Sequence, residues 1–187
     1  PLTVSGIGSK VVVGNGTDAT ILDLQDELDA VVDVTNNGTL VLQSTDLPTF
    51  GDLDTGSTVE FAQDTDITVT GGTYHHLILS GLGVKSIPAA GFIVNGNLVL
   101  ENVELDVAGT GFRTITLNGN LVANNPIIAQ GVGTTNTFHR NVNFDMSSDA
   151  DQVISGSGLL RFGRLISTKT EGSLSIEDID INLYNRI

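Results

Sequence analysis

Cysteine and tryptophan are absent from this chain of 187 residues, methionine occurs once and proline four times. Without cysteine there are no disulfides, thiolate metal sites or thiol nucleophiles, so stability must come from packing and backbone pairing. Basic residues are also scarce: eight against 22 acidic ones give a net charge of −14. That balance repels phosphate backbones and anionic lipid, which makes nucleic acid and membrane surfaces unsuitable partners. No apolar run approaches the ~20 residues needed to span a bilayer, and no basic segment followed by an apolar one marks a signal peptide. The chain opens on Pro1 and stops on Ile187 in strand-like sequence, so it is read as a single segment, 1–187, internal to a larger protein.

What the chain has instead is Val, Ile and Leu for an interior, with 22 glycines and many Asn, Asp, Ser and Thr for turns. That is an all-β composition. Internal similarity sharpens it. Val94 to Asn102 reads VNGNLVLEN and Leu117 to Asn125 reads LNGNLVANN, six of nine positions agreeing at an offset of 23. Asn36 to Ser44, NNGTLVLQS, is a looser copy. Ser-Gly pairs at Ser5, Ser80 and Ser155 recur 75 residues apart, which would fit a coil of variable length.

Within the clearest repeat, Phe92 and Val94 alternate with Ile93, and Asn95-Gly96 turns. Leu98 and Leu100 alternate with Val99, and Glu101-Asn102 turns again. Val103, Leu105 and Val107 alternate with Glu104 and Asp106, and a Gly-rich corner precedes Ile115 and Leu117. Alternation with period two puts Leu98, Leu100, Val103, Leu105, Val107, Ile115 and Leu117 on a dry face, with Glu101, Glu104, Asp106 and Thr116 pointing away. One such circuit cannot bury its dry face alone, but stacked circuits can. The fold expected is therefore a parallel β-helix or β-solenoid with three-strand coils of about 23 residues, roughly eight in all. Tandem immunoglobulin-like β-sandwiches are the alternative, since short alternating strands and Asn-Gly turns also describe hairpins. Residues 17–36, with their run DLQDELDAVVDV, and 123–137 are expected as loops or irregular insertions, the first with a short helix as a further option.

The stretch Gly72 to Leu100, GTYHHLILSGLGVKSIPAAGFIVNGNLVL, resembles segments of very large secreted surface proteins of Bacteroidota, including gliding-motility adhesins. The likeness rests on Gly72, Thr73, Tyr74, His75 and Leu77, on Leu79, Ser80, Gly81, Gly83 and Lys85, and on Val94 to Leu98. It covers about 30 residues, with an echo at Leu2 to Lys10. The tail after Phe138 barely shares it, and Leu160 stands where the other copies have Lys10 and Lys85. The resemblance implies a non-enzymatic structural and adhesive module of a cell-surface filament, extracellular and exported by the type IX system. Its implied partners are neighbouring domains of the same chain, surface polysaccharide or substratum, and outer-membrane export or anchoring machinery.

Catalytic chemistry has few residues to draw on. No Gly-x-Ser-x-Gly elbow occurs, and adjacent His75 and His76 face opposite sides of an undistorted strand. Neither they nor His139 is assigned a metal or catalytic role. Carboxylates cluster at Asp52 and Asp54, and at Asp145, Asp149 and Asp151. The latter three are the calcium candidates, although no DxDxDG loop is present, and a solvated loop is the simpler expectation. Asp178 and Asp180, like Glu104 and Asp106, read as the polar face of strands. Gly6 with Gly8 and Gly81 with Gly83 do not complete a phosphate-binding loop and are read as corners. Asn15 and Asn37 read as Asn-Gly turns. Thr68, Thr70, Thr114 and Thr116 do not continue in register as an ice-binding face would. A carbohydrate-active β-helix, lyase or hydrolase, and a trimeric phage or surface fibre are the alternative functions. The former needs two carboxylates in one groove.

Overall fold

The computed structural model describes residues 10–26, 28–124 and 141–183. The chain winds as a parallel β-solenoid of about seven turns, with stacked strands about 21 residues apart. In chain order the first coils contribute β1 (Lys10–Val13), β2 (Thr20–Leu24), β3 (Val31–Val34), β4 (Gly38–Leu42), β5 (Thr49–Leu53) and β6 (Thr58–Phe61). The middle coils contribute β7 (Ile67–Thr68), β8 (Thr73–Tyr74), β9 (His76–Leu79), β10 (Val84–Ile87), β11 (Phe92–Val94), β12 (Leu98–Glu101), β13 (Glu104–Val107), β14 (Arg113–Leu117) and β15 (Leu121–Asn124). The last are β16 (Val142–Asp145), β17 (Gln152–Ser157), β18 (Leu159–Phe162), β19 (Arg164–Ile166), β20 (Leu174–Glu177) and β21 (Asp180–Leu183).

One sheet runs the length of the rod. Its eight strands stack in the order β2-β4-β6-β9-β12-β15-β17-β20, one from each successive pass of the chain. Every pairing among the described strands is parallel, which rules out antiparallel sandwiches. The Asn-Gly dipeptides accordingly make corners and not hairpins: β11 and β12, which flank Asn95-Gly96, belong to different sheets.

Register along the long sheet turns sequence alternation into columns. Leu22, Leu40, Val59, Leu77, Leu98, Leu121, Ile154 and Ile176 lie one above another, and beside them run Leu24, Leu42, Phe61, Leu79, Leu100, Ala123 and Gly156. From Leu40 to Ile154 the first column is fully buried. Each such side chain contributes roughly 1.5–3 kcal/mol by leaving water. All seven residues expected on the dry face, Leu98 through Leu117, are in the core. At about 4.8 Å per rung, seven turns span roughly 34 Å.

The coils are less uniform than the 23-residue repeat suggests: that spacing holds only where Leu98 meets Leu121 and Phe92 meets Ile115, most other rungs are closer in sequence, and Leu121 meets Ile154 across a longer coil. Earlier coils carry two strands each, in the order β1-β3-β5 opposite the long sheet. Their third side is turn and bend, at residues 43–48 for example, where Pro48 has no N–H to offer a ladder. From β7 onward the third side gains strands, and one five-stranded sheet, β19-β16-β14-β11-β8, takes over.

Residues 17–36 are corrected as well. They hold β2 and β3, not an insertion or a helix, because Leu22 and Leu24 continue the core columns and Val32 and Val34 bury on the opposite wall. Of 123–137, Ala123 and Asn124 close β15, and the remainder lies outside the described residues. The Ser-Gly spacing has no structural counterpart: Gly156 stacks in the column of Leu79, two places from Gly81. Ser5 lies outside the described residues.

Corners explain the glycine and asparagine content. A Cβ on Gly119 would sit 2.2 Å from the Gly96 carbonyl oxygen of the preceding rung, so two Asn-Gly turns stack with no room for a side chain. Gly81 and Asn102, each two residues beyond a paired core leucine, both adopt left-handed backbone, with φ of 82° and 51°. Corners of stacked rungs therefore repeat one turn.

Two substitutions test this packing. Leu98→Ala is expected to cost about 2–5 kcal/mol of unfolding free energy, as for other buried leucines. Gly119→Ala should cost about 1–3 kcal/mol by forcing the rungs apart, whereas Gly71→Ala, whose Cβ would find nothing nearer than 3.7 Å, should cost less than ~1 kcal/mol. Urea denaturation read by circular dichroism measures all three, and equal losses for the two glycine variants would contradict the stacking.

Candidate functional site

Polar side chains join the rungs at the corners. His76 Nδ1 accepts the Asn97 N–H at 3.0 Å, Asn97 Oδ1 accepts the Asn120 N–H at 3.1 Å, and Asn120 Oδ1 accepts the Val153 N–H at 2.9 Å. A second line joins Asn118 Nδ2, the donor, to Asn95 Oδ1 at 2.8 Å. Carboxylates do the same at other corners. Asp64 accepts Leu82 N–H at 3.1 Å, Asp66 accepts Val84 N–H at 3.0 Å, and Asp33 accepts Asp52 N–H at 3.0 Å. In each case the acceptor belongs to the earlier rung and the donor to the later one.

The calcium candidates fall within this scheme. Asp149 accepts the N–H groups of Thr170 and Glu171 at 2.9 and 3.3 Å, and Asp151 accepts Ser173 N–H at 2.8 Å. Lys169 donates to the Ser148 carbonyl and, at 2.7 Å, to that of Ala150. Asp145 accepts the Ser147 hydroxyl at 2.5 Å. No group of three or more His, Cys, Asp or Glu residues fit to hold a metal ion occurs among the described residues. Hydrogen bonds from Thr170, Glu171 and Ser173, helped by Lys169, hold the Asp149 and Asp151 carboxyls below their usual range.

The histidines, expected to cap the coil at a corner or lie on its surface, do sit at a corner, but not on the opposite sides of a straight strand. Tyr74-His75-His76 turns the corner between β8 and β9, so the two rings touch edge to face with centroids 4.3 Å apart. Burial, with His75 beside it, lowers the His76 pKa, which suits its role as acceptor of an N–H. His139 lies outside the described residues, as do Gly6 and Gly8. Glu104 and Asp106 face outward on β13 near Asp66, and partial burial with those two carboxylates raises Glu104. Asp178 and Asp180 are exposed. Asn15 Oδ1 accepts the N–H groups of Thr17 and Asp18, an Asx turn, and Asn37 has a φ of 62°.

Three buried polar groups escaped the sequence reading. Lys85 points into the tube from β10, fully buried, and donates to the carbonyls of Gln63 at 2.7 Å and Gly83 at 3.2 Å. Burial pushes its pKa down to about 8, against a partial counter-pull from Asp64 and Asp66. Gln63 donates to Ser44 O at 2.8 Å, and Gln152 donates to Leu117 O and Gly119 O at 2.8 and 2.7 Å. A signal for Lys85 was present: alternation in Val84-Lys85-Ser86-Ile87 puts it on the face of Ile87.

A cleft opens where the two-strand coils meet the three-strand coils. Strand β5 is the last of its sheet and β8 the first of the next, so no ladder joins them. The cleft, about 200 Å³, is lined by Phe50, Gly51, Leu53, Gly71, Gly72, Thr73 and Tyr74. Beneath it the rings of Phe50, Phe61, Tyr74 and Phe92 pack edge to face at 6.0 to 6.3 Å, and the Tyr74 hydroxyl donates to Thr70 O at 2.6 Å. Asp52 and Asp54, singled out by their spacing, flank Leu53 on the exposed side. Asp33, bridged to Lys10, packs so close to Gly51 that a Cβ there would be 2.1 Å from its Oδ1.

No family model, no curated protein and no solved structure matches the chain.

The buried groups give stability a defined pH dependence. Lys85 titrates near 10.5 when exposed and at about 8 in the fold, so between those values the unfolded state holds more protons and stability rises with pH. Above pH 10 Tyr74, whose hydroxyl burial keeps protonated, opposes that gain. The denaturation midpoint should therefore climb from about pH 8 to 10, and Lys85→Met should flatten the climb. On the acid side, Asp149 and Asp151 stabilise the fold above the usual carboxylate pKa of 3.8, and that contribution is lost as pH falls through their lower folded values. An Asp149→Asn and Asp151→Asn double variant should lose less stability than the parent between pH 4 and pH 2, checked by urea titration at each pH.

Proposed function

We propose that this segment is a structural and adhesive module of a bacterial cell-surface filament, lying outside the cell and supporting adhesion or gliding over surfaces. The observation that carries the reading is the eight-stranded parallel sheet running from end to end, each rung bonded to the next through backbone and corner side chains. Bonds aligned with the rod axis in several sheets share a bending load, and each coil is stabilised by its neighbours. A net charge of −14 keeps such a rod soluble and discourages rods from clumping. The likeness of Gly72 to Leu100 to Bacteroidota surface proteins supports the same assignment and gives the expected surroundings: further domains of one long chain, export or anchoring machinery at the outer membrane, and polysaccharide or substratum as the surface engaged.

Commitment of Asp33, Asp64, Asp66, Asp149 and Asp151 to N–H groups of the next rung supports this reading over a lyase or hydrolase, which needs carboxylates facing a substrate. Antibodies raised against the segment are expected to label intact cells of the source bacterium without permeabilisation. Labelling seen only after the cells are opened would overturn the surface assignment. Turnover of an acidic polysaccharide by the segment, abolished by a single Asp→Asn change, would replace the reading with an enzymatic one.

A further inference from the structure

We propose that the cleft between β5 and β8 binds one neutral sugar ring, the terminal unit of a glycan chain; the proposal rests on the adhesive reading in taking the ligand to be a glycan. Along the long sheet each rung is sealed to the next by a backbone ladder, but β5 pairs only with β3 and β8 only with β11. The two facing strand edges thus lie along an opening with no strand between them to take up their peptide groups. Hydroxyl-bearing ligands, which both donate and accept, suit such an edge.

The lining narrows the class further. Gly71 and Gly72 present bare backbone: a Cβ on Gly72 would meet nothing within 4 Å and one on Gly71 nothing nearer than 3.7 Å, so missing side chains leave the wall open there, whereas Gly51 is backed by Asp33. Phe50 is half-buried and held by edge-to-face contacts to Phe61 and Tyr74, leaving a fixed aromatic patch at the opening for the apolar C–H face of a ring. At about 200 Å³ the space falls below the ~300–1,000 Å³ of pockets for drug-sized molecules, enough for a single ring and too little for an oligomer. An added peptide strand is disfavoured, since β8 offers an edge of two residues. Anionic sugars are disfavoured too, because no cation lines the cleft while Asp52 and Asp54 flank Leu53.

The test is titration of the isotopically labelled 187-residue chain with the methyl glycosides of glucose, galactose, mannose and N-acetylglucosamine, one at a time, up to ~100 mM, well beyond the ~1 mM scale of a weak contact worth about 4 kcal/mol. At least one should produce saturable shifts centred on the amides of Gly51, Gly71, Gly72 and Thr73. Thr73→Trp, placed at an exposed position of the opening, should weaken that binding at least ~10-fold, a loss of ~1.4 kcal/mol, with the circular dichroism spectrum unchanged. No saturable shift with any glycoside, shifts centred elsewhere, or undiminished binding by the folded variant would each overturn the proposal; the first two need no variant. Beads coated with the chain separate this from the adhesive reading. Beads that hold to a polysaccharide film while the glycosides leave the cleft untouched refute the cleft and keep adhesion; glycoside binding without bead adhesion does the reverse.

Discussion

Each rung of this chain is completed only by the rung before it and the rung after. A parallel strand satisfies half its peptide groups on one neighbour and half on the other, and a circuit of about 21 residues has too little interior to bury its own leucines. Leu98 is dry because Leu77 and Leu121 lie on either side of it. Ile176, in the same column on an outermost strand that pairs on one side only among the described strands, is exposed. Burial here is a property of position in a stack, not of the residue or even of its own coil.

That dependence accounts for the unusual composition. Corner backbone cannot pair through ladders, so its N–H groups need acceptors from the adjacent rung, and short side chains with an oxygen supply them. Asparagine does so at Asn97 and Asn120, aspartate at Asp64, Asp66, Asp149 and Asp151. Part of the acidity is thus structural: a carboxylate accepting backbone N–H groups makes stronger bonds than an amide can. The same need ties one carboxylate oxygen to the backbone of the next rung: Asp149 Oδ1 takes the N–H groups of Thr170 and Glu171 together with the Thr170 hydroxyl.

The columns were legible in the sequence because alternation and the Asn-Gly-Asn-Leu repeat each report a local fact, and the register of Leu98 on Leu121 joins the two. The lengths of the other coils were not legible. A loop such as 43–48 can shorten a circuit without changing which residues face inward, so nothing in alternation fixes the count. Residues 17–36 misled for a related reason: the Asp-rich run DLQDELDAVVDV reads as a polar interruption, but the open edge of β4 gives Leu22 and Leu24 a column to join. Lys85 was hidden by its type. Period two assigns it inward, and a lysine is read as surface until the carbonyls of Gln63 and Gly83 are seen to receive it.

The cleft and the buried lysine share an origin in the change from two strands per coil to three. Between β5 and β8 the wall must pass from one sheet to another whose strands begin at a different place on the circuit, and ladders cannot bend to follow. Phe50, Phe61 and Tyr74 fill the resulting mismatch from inside with side chains larger than the leucines above and below. Around the same turn Gln63 and Lys85 supply donors for carbonyls that no ladder reaches. A perfectly regular solenoid would repeat one surface from rung to rung. The irregular rung breaks that repetition and gives the rod a cleft lined by aromatic side chains and glycine backbone.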